Sequence, residues 1–362
     1  VIAVLVLVAW FALSVRAGLA RNGIGFDMGF LSQVAGFDLS EGYALTTEGL
    51  RRFMSSDSNA QALLAGFINT VKTASVAIIL TTVLGTLVGM GRVSHNWIVR
   101  QLCFGFVEMV RNTPMLIQLV FWYFVVILKL PALADAASWL GTVIASQQGF
   151  YFPGVELAPE ATLPALLSFL AGLVLLVAGA ANRRHRKWLT ACSLAGLVSA
   201  WAIGFPVAVT VPHVTGFVIT GGFSASPEFA AMLVGLTVYT SAFIAEIIRG
   251  AIVALPKGQW EAASALGLSR GAAFRDIVIP QVFRVVLPAF GNQYISLAKT
   301  TSLGIAIGFP DVFNVYGTVA NQSGRSLEGV IVVMLAYLIL SWTISGAVNL
   351  LNGLLLRNGG KQ

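Results

Sequence analysis

Apolar residues run along this chain in long blocks, with the polar residues gathered between the blocks rather than alternating within them. Runs suited to crossing a bilayer, which takes about 20 residues, are Val1–Val15, Ala60–Met90, Leu102–Leu130, Leu163–Ala181, Trp188–Phe205, Pro227–Ile248, Val285–Phe309 and Leu327–Leu356. The pattern predicts an all-α fold, a polytopic membrane helix bundle of about eight transmembrane helices. Val1–Val15 is short of a full span and lacks a basic leader region; it is expected to be the end of a first spanning helix. Several other runs exceed the hydrocarbon thickness and must tilt, break or extend beyond lipid. Four parts follow. Residues 1–59 hold an N-terminal transmembrane helix and a linker, and 60–130 the first part of the core. Residues 131–226 are inserted loops and a transmembrane hairpin. Residues 227–362 complete the core and carry a polar segment at about 256–284.

Composition agrees with a membrane chain. Hydrophobic residues make up 57% and charged residues only 10%, too little charge to cover a soluble protein of this length. The net charge of +7 sits in short loops, which reads as topology rather than as nucleic-acid binding. Arg92 and Arg100, then Arg183, Arg184, Arg186 and Lys187, then the stretch from Arg249 to Arg284, then Arg357 and Lys361 fall on one side if every apolar run is crossed. The intervening loops, Arg16–Asn59 and Pro131–Thr162, are mixed or acidic. The positive side is cytoplasmic, which places both termini there. The basic 183–187 turn fits anionic lipid headgroups.

Polar residues interrupt four of the apolar runs at similar depth. Thr113-Pro114 is a helix-start signal inside an apolar run, with Asn112 about 18 Å from Arg100 along a helix. Lys299-Thr300-Thr301-Ser302 lies about 21 Å in from Val285. Tyr239, Thr240 and Ser241 are about 18–21 Å from Pro227, and Asn69, Thr70 and Lys72 are comparably placed in their own run. Intramembrane polar groups are costly and mark pathways, so Lys299, Thr300, Thr301, Ser302, Asn112, Thr113, Tyr239 and Ser241 are the candidate substrate-binding residues. The alternative for each is interhelical hydrogen bonding or, for the lysines, snorkelling to an interface. Glu108 with Arg111, and Glu246 with Arg249, are spaced to pair on one helix face.

No enzyme constellation stands out. There is no G-x-x-x-x-G-K-[ST] loop to cradle a nucleotide and no H-E-x-x-H. The three histidines, His95, His185 and His213, are scattered in loops, and Cys103 and Cys192 have no metal spacing. Nothing in these residues argues for an enzyme, a metal or a cofactor, so a non-catalytic chain is expected, with a membrane enzyme or assembly factor as a further reading that missing motifs leave open.

One polar stretch stands apart: "GQWEAASALGLSRGAAFRDIVIPQ", Gly258 to Gln281, between two apolar runs. Glu261-Ala262-Ala263, three residues, Gly267, nine residues and Ile277-Val278-Ile279-Pro280 resemble the E-A-A-x3-G-x9-I-x-L-P signature of ABC-importer permease subunits, with Ile279 where Leu is usual. "VEMVRNTPMLIQLVFWYF", "SPEFAAMLVGLTVYTSAFIAEIIRGAI" and "AKTTSLGIAIGFPDVF" are similar to polar amino-acid uptake permeases. The long start and the region between Leu130 and Ser226 resemble the longer general L-amino-acid permeases of Gram-negative bacteria.

That resemblance implies the type I importer permease fold in the bacterial inner membrane. It implies a cytoplasmic coupling helix carrying Glu261, Ala262, Ala263 and Gly267, docked on an ATPase. It also implies two ATPase subunits holding ATP and Mg, a second homologous permease forming a heterodimer, and a periplasmic amino-acid-binding protein. Alongside it, Ala262, Ala263, Ala265 and Leu266 are expected to make a small-residue contact face, Gly267 to end the helix and Ser269 to cap the next one. The rival reading is a self-sufficient secondary transporter or channel for small polar solutes, which also uses broken helices.

Overall fold

The computed structural model describes residues 27–359 apart from 47–48, 137, 140–141, 158–162, 182–185, 205–206 and 216–217. Before residue 27 it describes 6–7, 10, 13–14 and 17–18 alone. The first apolar run thus lies largely outside the described residues. The chain divides into two compact units, Val1–Trp122 with Ala231–Gln362, and Tyr123–Ala230.

The first unit is built on α1, Asn59–Arg92. Ser58 and Gln61 form a reciprocal capping box: the serine hydroxyl accepts from Gln61 N at 3.3 Å, and the glutamine side chain accepts from Ser58 N at 3.4 Å. This satisfies two donors that a helix start leaves bare. With 34 residues, α1 is about 51 Å long, far more than a bilayer core needs. Its first turns are covered by the linker, whose strands β1 (Tyr43–Thr46) and β2 (Gly49–Arg52) pair antiparallel. Phe30, Ala35, Ala44 and Phe53 of the linker pack on Ala62, Leu63, Val315 and Val319. Burial alone would raise the Asp57 carboxyl, but Arg51 and the Met54 N–H bond it and hold it below its ordinary value.

The length of α1 corrects one expectation. Asn69 and Thr70 reach the Pro310–Val312 backbone beside Asp311, whereas Lys72 is drawn to the linker. Asn69 donates to Glu41 O at 2.8 Å and Pro310 O at 3.0 Å. Thr70 accepts from Val312 N at 3.1 Å, and Lys72 pairs with Glu41 of the linker.

Further along, α1 meets α6 (Pro227–Val253) through glycine. A Cβ on Gly85 would lie 2.6 Å from Ile244 Cβ and 2.9 Å from Ser241 O, and one on Gly89 would lie 2.8 Å from Ala245 O. Small residues let helix backbones approach this closely, which is how helices pack where lipid offers no hydrophobic drive.

Two spans are broken. Helix α2 (Trp97–Arg111) turns at Asn112–Pro114 into α3 (Met115–Phe121), with 104° between Trp97–Arg111 and Met115–Lys129. Pro114 has no N–H for the Val110 carbonyl. Gln118 Nε2 supplies one at 2.8 Å and bonds Thr113 O at 2.9 Å, so the break needs no water. The second break follows α9 (Ile279–Thr300), which tightens into a 3-10 turn, Thr301–Ile307. Gly308 (φ 76°) then ends the turn, the chain bends by 52°, and Asp311 caps α10 (Val312–Ser323) by accepting from Asn314 N at 2.9 Å. α11 (Ser326–Gly359) packs on both α9 and α10.

Among the described residues three helices, Asn59–Arg92, Pro227–Val253 and Ser326–Gly353, are each long and apolar enough to cross a membrane, and up to five spans result if each bent pair counts as one.

The second unit carries two apolar helices, α4 (Leu163–Ala181) and α5 (Arg186–Gly204), packed on one another. Ser193 donates to Gly172 O at 2.8 Å, and a Cβ on Gly196 would lie 3.2 Å from Gly172 Cα. Between the short helical turns that open the unit, Trp122–Val126, Ile127–Lys129 and Leu133–Asp135, and the start of α6, the rest outside the hairpin is built on strands. Strands β3 (Ser138–Trp139), β4 (Val143–Ser146), β5 (Gly149–Phe152) and β10 (Phe223–Ala225) form one antiparallel sheet in the order β10-β5-β4-β3. β6 (Gly154–Leu157) pairs with β7 (Val207–Thr210) at the base of the hairpin, and β8 (His213–Thr215) pairs with β9 (Val218–Thr220). These strands qualify the all-α expectation for the inserted loops: short β-branched and aromatic runs pair there, some with the next strand and, in β6–β7 and β5–β10, across the hairpin.

Candidate functional site

The polar stretch of the sequence folds as α7, Lys257–Ala265, followed by α8, Arg270–Ala273. Its end is a complete Schellman motif. Gly267 takes φ 72°, Gly267 N donates to Ser264 O at 3.0 Å and Leu268 N to Ala263 O at 3.1 Å. Both bonds satisfy carbonyls that the helix end would leave bare. Ser269 accepts from Ala272 N at 3.3 Å and caps α8 as expected. A π-turn, Phe274–Val278, then leads into α9.

The expected contact face needs one correction. Ala263 is 2% exposed and points inward. The exposed stripe is Gly258, Glu261, Ala262, Ala265 and Leu266, spaced i, i+3, i+4, i+7 and i+8 along one helix side. It is small apart from Glu261 and Leu266, the latter 78% exposed. Behind it the Trp260 and Phe274 rings stack at 6.4 Å. Beside α7 lies a groove of about 970 Å³ whose walls include Met90, Val93 and His95 at the end of α1, with Trp260, Ser264 and Phe274 opposite. Just before α7, Glu246 accepts from Arg249 Nε at 3.0 Å and pairs with Arg92 of α1. The guanidinium of Arg92 also lies 5.2 Å from the Phe104 ring. Arg92 at the end of α1 thus ties α2 and the last turns of α6 together next to α7.

The other candidates are dispersed. Lys299 is exposed. Its neighbours bond within their own helix: Thr300 donates to Ser296 O at 2.8 Å and Ser302 to Lys299 O at 2.9 Å. Thr301 is fully buried, donates to Ala298 O at 2.8 Å and lies 3.5 Å from the Tyr337 hydroxyl. Asn112 is exposed and donates to Glu108 at 3.4 Å, and Thr113 donates to Met109 O at 2.8 Å. α3, which follows that break, packs against the Thr301–Ile307 turn, so the two breaks are neighbours. Tyr239 packs with Val107 and Val110 of α2. Ser241 is buried on the α1 side of α6 and donates to Val238 O at 2.7 Å. The two ion pairs foreseen on helix faces part company: Glu246 holds Arg249, whereas Arg111 lies 5.6 Å from the Phe243 ring.

Two residues that the sequence reading passed over hold this region. Asp311 is fully buried and accepts the Tyr337 hydroxyl at 3.0 Å. Pro310-Asp311 before an apolar run was a legible cap signal. The partner Tyr337, in the apolar middle of α11, carries none. Among the described residues no group of His, Cys, Asp or Glu is arranged to hold a metal.

A family model described as "binding-protein-dependent transport system inner membrane component" matches residues 81–358. The chain is 35% identical to the putative amino-acid ABC transporter permease protein YhdX of Escherichia coli, over 97% of this chain and 91% of that protein. It is 36% identical to the general L-amino acid transport system permease protein AapQ of Rhizobium johnstonii, over 95% of this chain and 87% of the relative. Among solved structures, an amino acid ABC transporter with histidines superposes with a TM-score of 0.50 at 20% identity, covering 81% of this chain and 94% of that one; this likeness concerns the fold alone. With the coupling signature folded as a capped surface helix and the match covering most of its length, the chain belongs to the inner-membrane components of binding-protein-dependent transport systems.

Proposed function

We propose that this chain is the permease subunit of an amino-acid importer, driven by ATPase subunits that dock on α7. The observation that carries the reading is the placement of α7. It is an exposed helix with a small-residue stripe, at the end of α1 opposite the linker. Similarity to amino-acid permeases along more than nine-tenths of the chain supports the substrate class. Two ATPase subunits would hold ATP and Mg, a second homologous permease would complete the pathway as a heterodimer, and a periplasmic binding protein would deliver the amino acid. Both termini are then cytoplasmic, with the linker outside.

This chain's own part is mechanical. A push on α7 passes through the stacked Trp260–Phe274 pair and the π-turn into α9. α9 ends at the 3-10 turn beside Lys299, and a 3-10 stretch within a helix is a usual place for a hinge. Lys299, with Thr300 and Ser302 beside it, would meet the substrate carboxylate. Thr301, Asn112, Thr113, Tyr239 and Ser241 would shape the path around it.

The test is coupling in the assembled importer. Glu261→Lys and Gly267→Asp should each strip or uncouple the ATPase while the permease still inserts. Gly267→Asp also places a side chain where φ is 72°, a left-handed conformation costing about 1–2 kcal/mol. The readouts are ATPase co-purification and substrate-stimulated ATP hydrolysis. Wild-type values for both variants would remove the coupling assignment. Uptake by the chain alone in liposomes would establish the secondary-transporter reading instead.

A further inference from the structure

The groove beside α7 is distinct from the helix's exposed stripe. On the helical wheel Trp260 and Ser264 face the groove, Gly258, Ala262 and Ala265 face out, and Glu261 lies between the two sets; Leu266 at the helix end is exposed and Leu268, past Gly267, lines the groove. Glu261 lines the groove and is exposed, and no described residue gives it a hydrogen bond or an ion pair. The groove walls are otherwise mainly apolar: Met90, Val93, Ile252, Trp260, Leu268 and Phe274. The wall facing α7 is the end of α1 and the turn after it, so the groove joins α7 to one of the two longest helices of the core.

Resting on the reading of the chain as an ATPase-driven permease, we propose that this groove receives an apolar projection of the ATPase subunit flanked by a basic residue, making the turn at Val93–His95 a second contact beside the coupling helix. The groove is continuous with the docking stripe through Glu261, so a body seated on the stripe reaches it. A free carboxylate at the rim of an apolar groove fits a cation next to an apolar side chain, and such rim charges steer and register a partner. At about 970 Å³ the space is at the upper end of ligand-sized pockets and takes a helical turn rather than one side chain. The polar rim of Ser94, His95, Glu261 and Ser264 suits a protein better than lipid chains. Gripping both walls would let the ATPase set the angle between α1 and α7 rather than only displace α7.

The experiment uses the whole importer. A photo-crosslinking p-benzoylphenylalanine replacing Val93 should capture the ATPase chain. Capture of only lipid, the homologous permease or a second copy of this chain would overturn the proposal. Gly271 lines the groove, and a Cβ there would meet nothing within 4 Å, so Gly271→Phe fills the space without a backbone clash. It should lower ATPase retention about tenfold or more with normal membrane insertion. Leu266→Glu probes the stripe separately. If Gly271→Phe retains the ATPase while Leu266→Glu loses it, the interface is confined to the stripe, and the groove proposal falls while the importer reading stands. Full retention by both variants would remove the importer reading itself.

Discussion

Single residues settle the polar chemistry of this chain by where their hydrogen bonds go. Gln118 shows it most directly. A glutamine in an apolar run reads as a pathway residue, yet its amide fills the donor slot left empty by Pro114. Thr300, Thr301 and Ser302 likewise spend their hydroxyls on carbonyls three or four residues back. Lys299 differs: it is exposed and makes no ion pair with a described residue, so its ammonium remains available. If it holds the substrate carboxylate, removing it loses a charge-assisted hydrogen bond of about 1.5–3 kcal/mol, roughly a 10- to 150-fold loss of affinity. Lys299→Met is thus expected to keep ATPase docking and membrane insertion while raising the half-saturation for uptake by that factor. Transport with wild-type kinetics would make Lys299 structural.

At the scale of elements, glycine decides how helices meet. Gly85 and Gly105 both lie within helices, where replacing Gly by Ala adds about 1 kcal/mol of helix propensity. Their surroundings differ. A Cβ on Gly85 would come 2.6 Å from Ile244 and 2.9 Å from the backbone of Ser241, whereas one on Gly105 meets nothing within 4 Å. Overpacking a tight contact costs about 1–3 kcal/mol, and backbone cannot swing aside as a side-chain tip can. Gly85→Ala should therefore lower the thermal unfolding midpoint in detergent, and Gly105→Ala should leave it unchanged or raise it. Equal midpoints for the two variants would mean that α1 and α6 are not in close contact.

For the molecule as a whole, α1 sets the sidedness. Its first turns carry the linker core and its last turns line the coupling groove, with about 51 Å between them. Val34 in the linker and Leu266 on α7 are both well exposed, at 66% and 78%. Single cysteines at these two positions, in a background lacking Cys103 and Cys192, should react with an impermeant maleimide from opposite faces of the membrane. The loop charges add that Val34 is the one reached from outside. Labelling of both from one side would break the assignment of linker and coupling helix to opposite ends.

What the sequence alone determined is whatever rests on local chemistry. Apolar run length marked the helices, and Ser269 and Gly267 marked a cap and a helix end. The Thr113-Pro114 and Lys299–Ser302 interruptions marked the neighbourhood of both breaks. The coupling signature was legible because a polar helix between apolar runs has few explanations. The tertiary structure alone decided which polar residues meet. A periodicity argument gives depth along one helix, but not the overhang that ties Lys72 to the linker or the rotation that turns Ala263 inward. Asp311 and Tyr337 lie far enough apart in sequence that only the packing of α11 on α9 and α10 joins them. The small sheets of the inserted region depend on strands paired across a whole helical hairpin, a contact that no local pattern specifies.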